Sequence, residues 1–103
     1  MTAKKAKKLL PAHKITVGLR SLPGWRYFPK QKTIGIDHKM KNFMAAVHAI
    51  QKISTLAEKA NHHPDLYLTR YRRLKILLTT HDTGGVTKKD LSLAKQITKE
   101  LTL

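Results

Sequence analysis

The chain has 103 residues, 21 Lys and Arg against 6 Asp and Glu, a formal charge of +15, and no Cys. That length predicts one domain with a modest core, which oligomerisation would help, and the lack of Cys excludes disulfides, thiolate metal ligands and cysteine nucleophiles. No apolar run approaches the roughly 20 residues of a membrane span, so a soluble, cytoplasmic protein is expected.

Residues 1–10 read as a basic, flexible tail and residues 11–103 as a single folded domain. The lysine-rich start leads only into Leu9 and Leu10 before Pro11, too short for a signal-peptide core. Pro11 suits a first helical position, and Ile15, Leu19 and Leu22 recur at i, i+4 and i+7, predicting a short helix that ends at Pro23-Gly24. Trp25 to Phe28 is aromatic and bounded by Gly24 and Pro29. Thr33 to His38 is a β-branched run after the turn-like Pro29-Lys30-Gln31, so these two stretches predict a hairpin.

Asn42 is a competent N-cap, and Phe43, Val47, Ile50, Ile53 or Ser54, and Ala57 trace one helical face for about five turns. This long helix must stop near Asn61-His62-His63-Pro64, because Pro64 biases His63 away from helical dihedrals and Asn tolerates the left-handed closing position. Leu66 to Tyr71 and Leu74 to Thr80 follow as strands, with Leu74, Ile76 and Leu78 on one face. Their connection at Arg72-Arg73 lacks the Asn-Gly or Asp-Gly of a tight hairpin. Gly84-Gly85 allows a tight loop, and Thr87 with Asp90 fits a capping box for a last helix whose Leu91, Ala94, Ile97 and Leu101 face the core. The order α-β-β-α-β-β-α predicts an α+β fold, a four-stranded antiparallel sheet with three helices packed on one face.

Between Glu58 and Asp90 lie three of the six histidines and four of the six acids. In so basic a chain, carboxylates gathered around histidines are not needed for solubility, which marks this stretch as the candidate site. Glu58 and His62 are four apart on the helix and so stand one turn from each other, where the carboxylate would fix the imidazole tautomer and make His62 a usable acid. His62 and His63 can flank one pocket, and His81, at a strand end, can close it if that strand end lies near the helix exit. Three imidazoles around a small ligand suit proton shuttling.

Plainer readings stand beside this one. Asp90 could be only the third-position acid of its capping box, Asn61 only a helix terminator, and Glu58 with His62 a surface pair worth about 0.5 kcal/mol or less. His13, His38 and His48 have no acidic company and read as surface or packing residues. A metal site from His62, His63 and His81 lacks the i, i+4 spacing of a zinc helix. The charge suggests nucleic acid, but Lys and Arg occur in every segment and only Arg70-Tyr71-Arg72-Arg73 mixes basic and aromatic residues densely, so nucleic acid is not the favoured partner.

Glu58-Lys59-Ala60-Asn61-His62-His63-Pro64, then Tyr67 and Tyr71, then Thr80-His81-Asp82-Thr83-Gly84-Gly85-Val86-Thr87 and Asp90 through Ala94, resemble the signature of the pterin-4a-carbinolamine dehydratases. The resemblance runs from about Leu22-Pro23-Gly24-Trp25, through Asn42-Phe43, to Ile97. It implies the same fold, assembled as a homodimer or homotetramer. It also implies loss of water from 4a-hydroxytetrahydrobiopterin to give quinonoid dihydropterin, in tetrahydrobiopterin regeneration, without metal or organic cofactor. By position His62, His63 and His81 carry over as the family's pocket histidines, with Glu58 and Asp90 as supporting acids. Asn61, Pro64, Thr80, Asp82 and Thr83 would border the pterin. His63 and His81 are expected to form the acid and base pair and His62 to orient the substrate. Two departures accompany the match: many members have Asp where this chain has Asn61, and the strand before His81 is one residue longer than in animal members. Some animal members double as dimerisation cofactors of a homeodomain transcription factor, so a non-catalytic binding protein with a basic surface is the alternative.

Overall fold

Alternation of buried and exposed residues along the strands decides which side of the sheet the helices cover. The computed structural model describes residues 8–101. Its elements are α1 (Ala12–Leu19), β1 (Arg26–Phe28), β2 (Thr33–Lys39), α2 (Phe43–Ala60), β3 (Asp65–Thr69), β4 (Arg73–Leu78) and α3 (Lys88–Glu100). The strands form one antiparallel sheet in the order β1-β2-β4-β3, with Gly35 opposite Leu77 and Leu77 opposite Asp65. Ile34 and Ile36 of β2 and Leu74, Ile76 and Leu78 of β4 are buried, whereas Asp37, Lys75 and Tyr67 between or beside them are exposed. The helices therefore lie against one face, and the fold is the α+β arrangement that the sequence predicts.

Ile15, Leu19 and Leu22 from the first helix and its exit meet Ile53 of α2 and Leu93, Ala94 and Ile97 of α3 over those strand residues. Each fully buried Ile or Leu contributes about 1.5–3 kcal/mol relative to exposure, which is how a chain without disulfides is held together. A buried polar link adds direction: Trp25 Nε1 donates to Thr98 Oγ1 at 2.9 Å, and that hydroxyl donates to Ala94 O at 2.8 Å. The start of β1 is thereby fastened to α3.

The long helix buries Ile53 and Ala57 of the expected stripe but departs from it in its first half. Ala46, Ala49, Ile53 and Ala57 are its buried positions, while Phe43 is 49% exposed and Val47 and Ile50 are half-buried. The physical reason is size, since alanines let the helix axis approach its neighbours and the larger side chains move to the flanks. The first helix is also shorter than expected, closing at Arg20, although Leu22 still reaches the core from the turn that follows. Of the expected tail, residues 1–7 lie outside the described residues, as do residues 102–103 at the other end. Leu10 is already tied in, its N–H donating to Val86 O at 2.9 Å and its side chain packing against the core. Among the described residues no helix is long and apolar enough to cross a membrane.

Candidate active site

The end of α2 sets the first half of the site. Asn61 adopts left-handed dihedrals, φ 50° and ψ 44°. Its N–H donates to Glu58 O and the next N–H, from His62, reaches back to Ala57 O, both at 3.1 Å. This pair of bonds is the Schellman closure of a helix, which turns the chain sharply and satisfies the last carbonyls. His62 consequently lies beyond the helix, and the expected one-turn pairing with Glu58 does not form. The turn sends His62 inward, where it is buried, and leaves His63 outside. Glu58 Oε2 meets His63 Nε2 at 2.6 Å instead, in a pair whose side chains are 77% and 57% exposed.

His62 finds a different acid. Its Nε2 lies 2.6 Å from Asp90 Oδ1, and Asp90 is completely buried. The other carboxylate oxygen accepts from Thr87 N–H at 2.9 Å, which is the capping-box bond at the start of α3, and from Thr80 Oγ1 at 2.8 Å. Because Thr80 spends its proton on Asp90, the 2.8 Å contact between the Thr80 and Thr87 hydroxyls is donated by Thr87. Lys89 N–H in turn donates to Thr87 Oγ1 at 3.2 Å. The two readings of Asp90, helix cap and partner of a histidine, are thus both true of one carboxylate. A buried charge requires this degree of satisfaction, since each missing partner would leave a costly desolvated group.

The loop after β4 supplies the second half. Thr80 bridges to Gly85 across a tight turn, and its carbonyl accepts from Thr83 N–H at 3.1 Å and Gly84 N–H at 2.9 Å. Gly84 sits at φ 85°, a region that costs a residue with a Cβ but not glycine. His81 is carried on this closed turn. A hollow of about 240 Å³ is lined by Asn61, His62, His63, Thr79, Thr80, His81, Asp82 and Lys89. A second, of about 290 Å³, continues from it past His63, Thr79 and His81 to Gln31, Lys32, Thr33, Asp65, Leu77 and Gly84. Each is close to the lower end of small-ligand sites, roughly 300 Å³.

The structure therefore brings Asn61, His62, His63, Thr80, His81 and Asp82 to one cleft, with Asp90 behind His62 and Glu58 against His63. Pro64 and Thr83 adjoin it in the chain but do not line either hollow. Sequence reasoning missed Thr79, Lys89 and the turn at Gln31-Lys32. Ile34 is opposite Leu78 in the sheet, which places the start of β2 beside the end of β4, and Thr79 Oγ1 donates to Lys32 O at 2.7 Å. Knowledge of that strand pairing would have revealed Thr79 and the Gln31-Lys32 turn, which periodicity alone does not show, whereas Lys89 comes with the first turn of α3. Among the described residues no group of three or more His, Cys, Asp or Glu is arranged to hold a metal ion.

Residues 8–100 match the family model described as pterin 4 alpha carbinolamine dehydratase. Relatives provisionally named pterin-4-alpha-carbinolamine dehydratases include one from Thermomicrobium roseum, 38% identical over 77% of this chain and 82% of the relative. Another from Sulfolobus acidocaldarius is 39% identical over 87% and 96%, and one from Chloroflexus aggregans 42% identical over 81% and 86%. Among solved structures, that of a transcriptional coactivator/pterin dehydratase from Brucella melitensis superimposes with a TM-score of 0.83 at 29% identity, covering 89% of this chain and 97% of that one.

Proposed function

The chain belongs to the pterin-4a-carbinolamine dehydratase family of hydro-lyases, and from that premise we propose that it eliminates water from 4a-hydroxytetrahydrobiopterin by histidine acid and base catalysis. The elimination breaks the C4a–O bond and the N5–H bond, forms the C4a=N5 double bond of quinonoid dihydropterin, and releases one water. A departing hydroxyl needs a proton and N5 must surrender one, so two proton-transfer groups on one cleft meet the chemical demand. His63 and His81 are that pair. His62 is the orienting imidazole, because its Nε2 is already committed to buried Asp90. Glu58 holds one nitrogen of His63 and so fixes the ring's tautomer and direction. Asn61, Thr80 and Asp82 border the substrate, flanked in the chain by Pro64 and Thr83. The product returns to tetrahydrobiopterin regeneration, and a homodimer or homotetramer is the expected assembly.

The observation that carries this reading is the division among the imidazoles: one locked on a buried acid, two facing the same pair of hollows. A dehydration assay with the pterin carbinolamine, run on the wild type and on His63→Ala and His81→Ala, tests it. Both variants should lose on the order of a hundredfold or more in kcat, the usual yield of general acid or base catalysis. Normal rates in both would show that the protons travel by another route.

A further inference from the structure

Five basic residues that look scattered in the sequence are brought by the fold to the pole of the sheet opposite the histidine cleft. β3 leaves the cleft at Asp65 and reaches Thr69, β4 returns from Arg73, and Arg73 stands opposite both Thr69 and Lys39 at the end of β2. Lys39, Lys41, Arg70, Arg72 and Arg73 meet there, including three of the chain's five arginines. Asp37 engages Arg73 at 3.3 Å, which takes one of these five cations out of account. The 18 residues of α2 separate the pole from the cleft by roughly 27 Å at 1.5 Å per residue.

The connection at this pole has a conformation its residues do not favour. Arg70 and Tyr71 both have positive φ, 49° and 55°. Successive left-handed residues in a hairpin are ordinarily Asn-Gly or Asp-Gly, because a Cβ is penalised there, and a tyrosine is a clear outlier. The arrangement is clamped from outside: Met40 N–H donates to Arg72 O at 2.7 Å, and Arg72 Nη1 donates to Lys41 O at 3.3 Å. Tyr71 is 60% exposed, and the Arg72 guanidinium lies 5.4 Å from its ring centre. A turn chosen only to join two strands would not retain Arg-Tyr at these positions; strain kept at an exposed site points to a ligand.

We propose that the tip of the β3–β4 hairpin binds single-stranded nucleic acid, with Arg70, Arg72, Lys39 and Lys41 on the phosphates and Tyr71 stacking on one unpaired base. Arginine forks match phosphate geometry better than lysine does, which accounts for arginine being concentrated here in a chain otherwise rich in lysine. A single exposed ring can stack only on a base that is not already paired, which selects a single strand over a duplex. The clamped turn presents these groups with little left to order on binding.

Fluorescence anisotropy of a labelled oligothymidylate with the full chain, across a salt series, tests the proposal. Arg70→Asn combined with Tyr71→Gly keeps a left-handed turn while removing one cation and the ring. That variant should bind about tenfold or more weakly, with the salt slope reduced by roughly one, while its Tm rises and its dehydration rate is unchanged. Lys39→Gln with Lys41→Gln, two exposed lysines, should weaken binding without moving Tm. Unchanged affinity in both variants would overturn the proposal. So would binding to phosphatidylserine vesicles that the first variant loses while neither protein binds the oligonucleotide, an outcome that would make the pole a membrane contact.

Discussion

His62 Nε2 and Asp90 Oδ1 meet at 2.6 Å although 28 residues separate them in the chain, and both side chains are buried. Their contact joins the exit of α2 to the first turn of α3, and through Thr80 it also holds the end of β4. Three elements that arrive from different parts of the sequence are thus fixed around one carboxylate, and the cleft is the space they leave in front of it.

Asp90→Ala removes the His62 contact, the capping bond and the Thr80 bond together. It should destabilise the fold by about 3–5 kcal/mol, since several buried polar groups lose their partner at once, each at about 1–3 kcal/mol. His62→Ala leaves the Thr80 and Thr87 bonds to the carboxylate in place and should cost less, about 1–3 kcal/mol. Urea unfolding of both variants gives the order. If His62→Ala proved the more damaging, Asp90 could not be the organising centre.

Glu58 and His63 make an equally short contact in a very different setting, because both side chains are exposed. Exposed pairs contribute about 0–1 kcal/mol, so Glu58→Gln should leave the urea midpoint nearly unmoved. On the proposed mechanism its effect falls on catalysis, where loss of the group that orients His63 should lower kcat by about tenfold with KM little changed. A kcat equal to that of the wild type would reduce the pair to a surface contact.

These two pairs also show how far the sequence could be read. The cluster of acids and histidines, the helix exit at Asn61 and the capping box at Thr87 are local signals, and each is present in the structure. Glu58 and His62 illustrate the limit. Spacing on an ideal helix pairs them, but the left-handed residue at 61 ends that geometry one position earlier and moves the partnership to His63. Thr79 and Lys32 lie 47 residues apart in the chain and meet only through the pairing of β2 with β4, which neither stretch encodes by itself. Phe43 departs from expectation for a related reason: hydrophobicity marks it as core, whereas the close approach that Ala46 and Ala49 allow selects the neighbouring stripe.

Asn61 serves both as helix terminator and as lining of the cleft, and substitution can separate the roles. Asn61→Gly keeps the left-handed turn available and should change stability by a few tenths of a kcal/mol at most. Asn61→Ala should cost up to about 1 kcal/mol, because alanine carries the same Cβ without the short polar side chain that lets asparagine enter this region. Both remove the amide from the cleft, so both should raise KM for the carbinolamine. If KM rises only in the unstable variant, Asn61 acts on the site through the backbone alone.

Gly84 offers the complementary case, because a Cβ there would meet nothing within 4 Å while its φ is 85°. Any cost of substitution is therefore torsional, not steric. Gly84→Ala should lose about 1–2 kcal/mol, and Gly84→Asn less, since asparagine enters the left-handed region more readily. The Gly84 N–H donates to the carbonyls of Thr80 and His81, so relaxation of this turn displaces the imidazole it carries. Gly84→Ala should accordingly reduce kcat more than Gly84→Asn, in the same order as the stability loss. Measured urea midpoints and kcat values that fail to rank together would mean that His81 is positioned by contacts other than the turn.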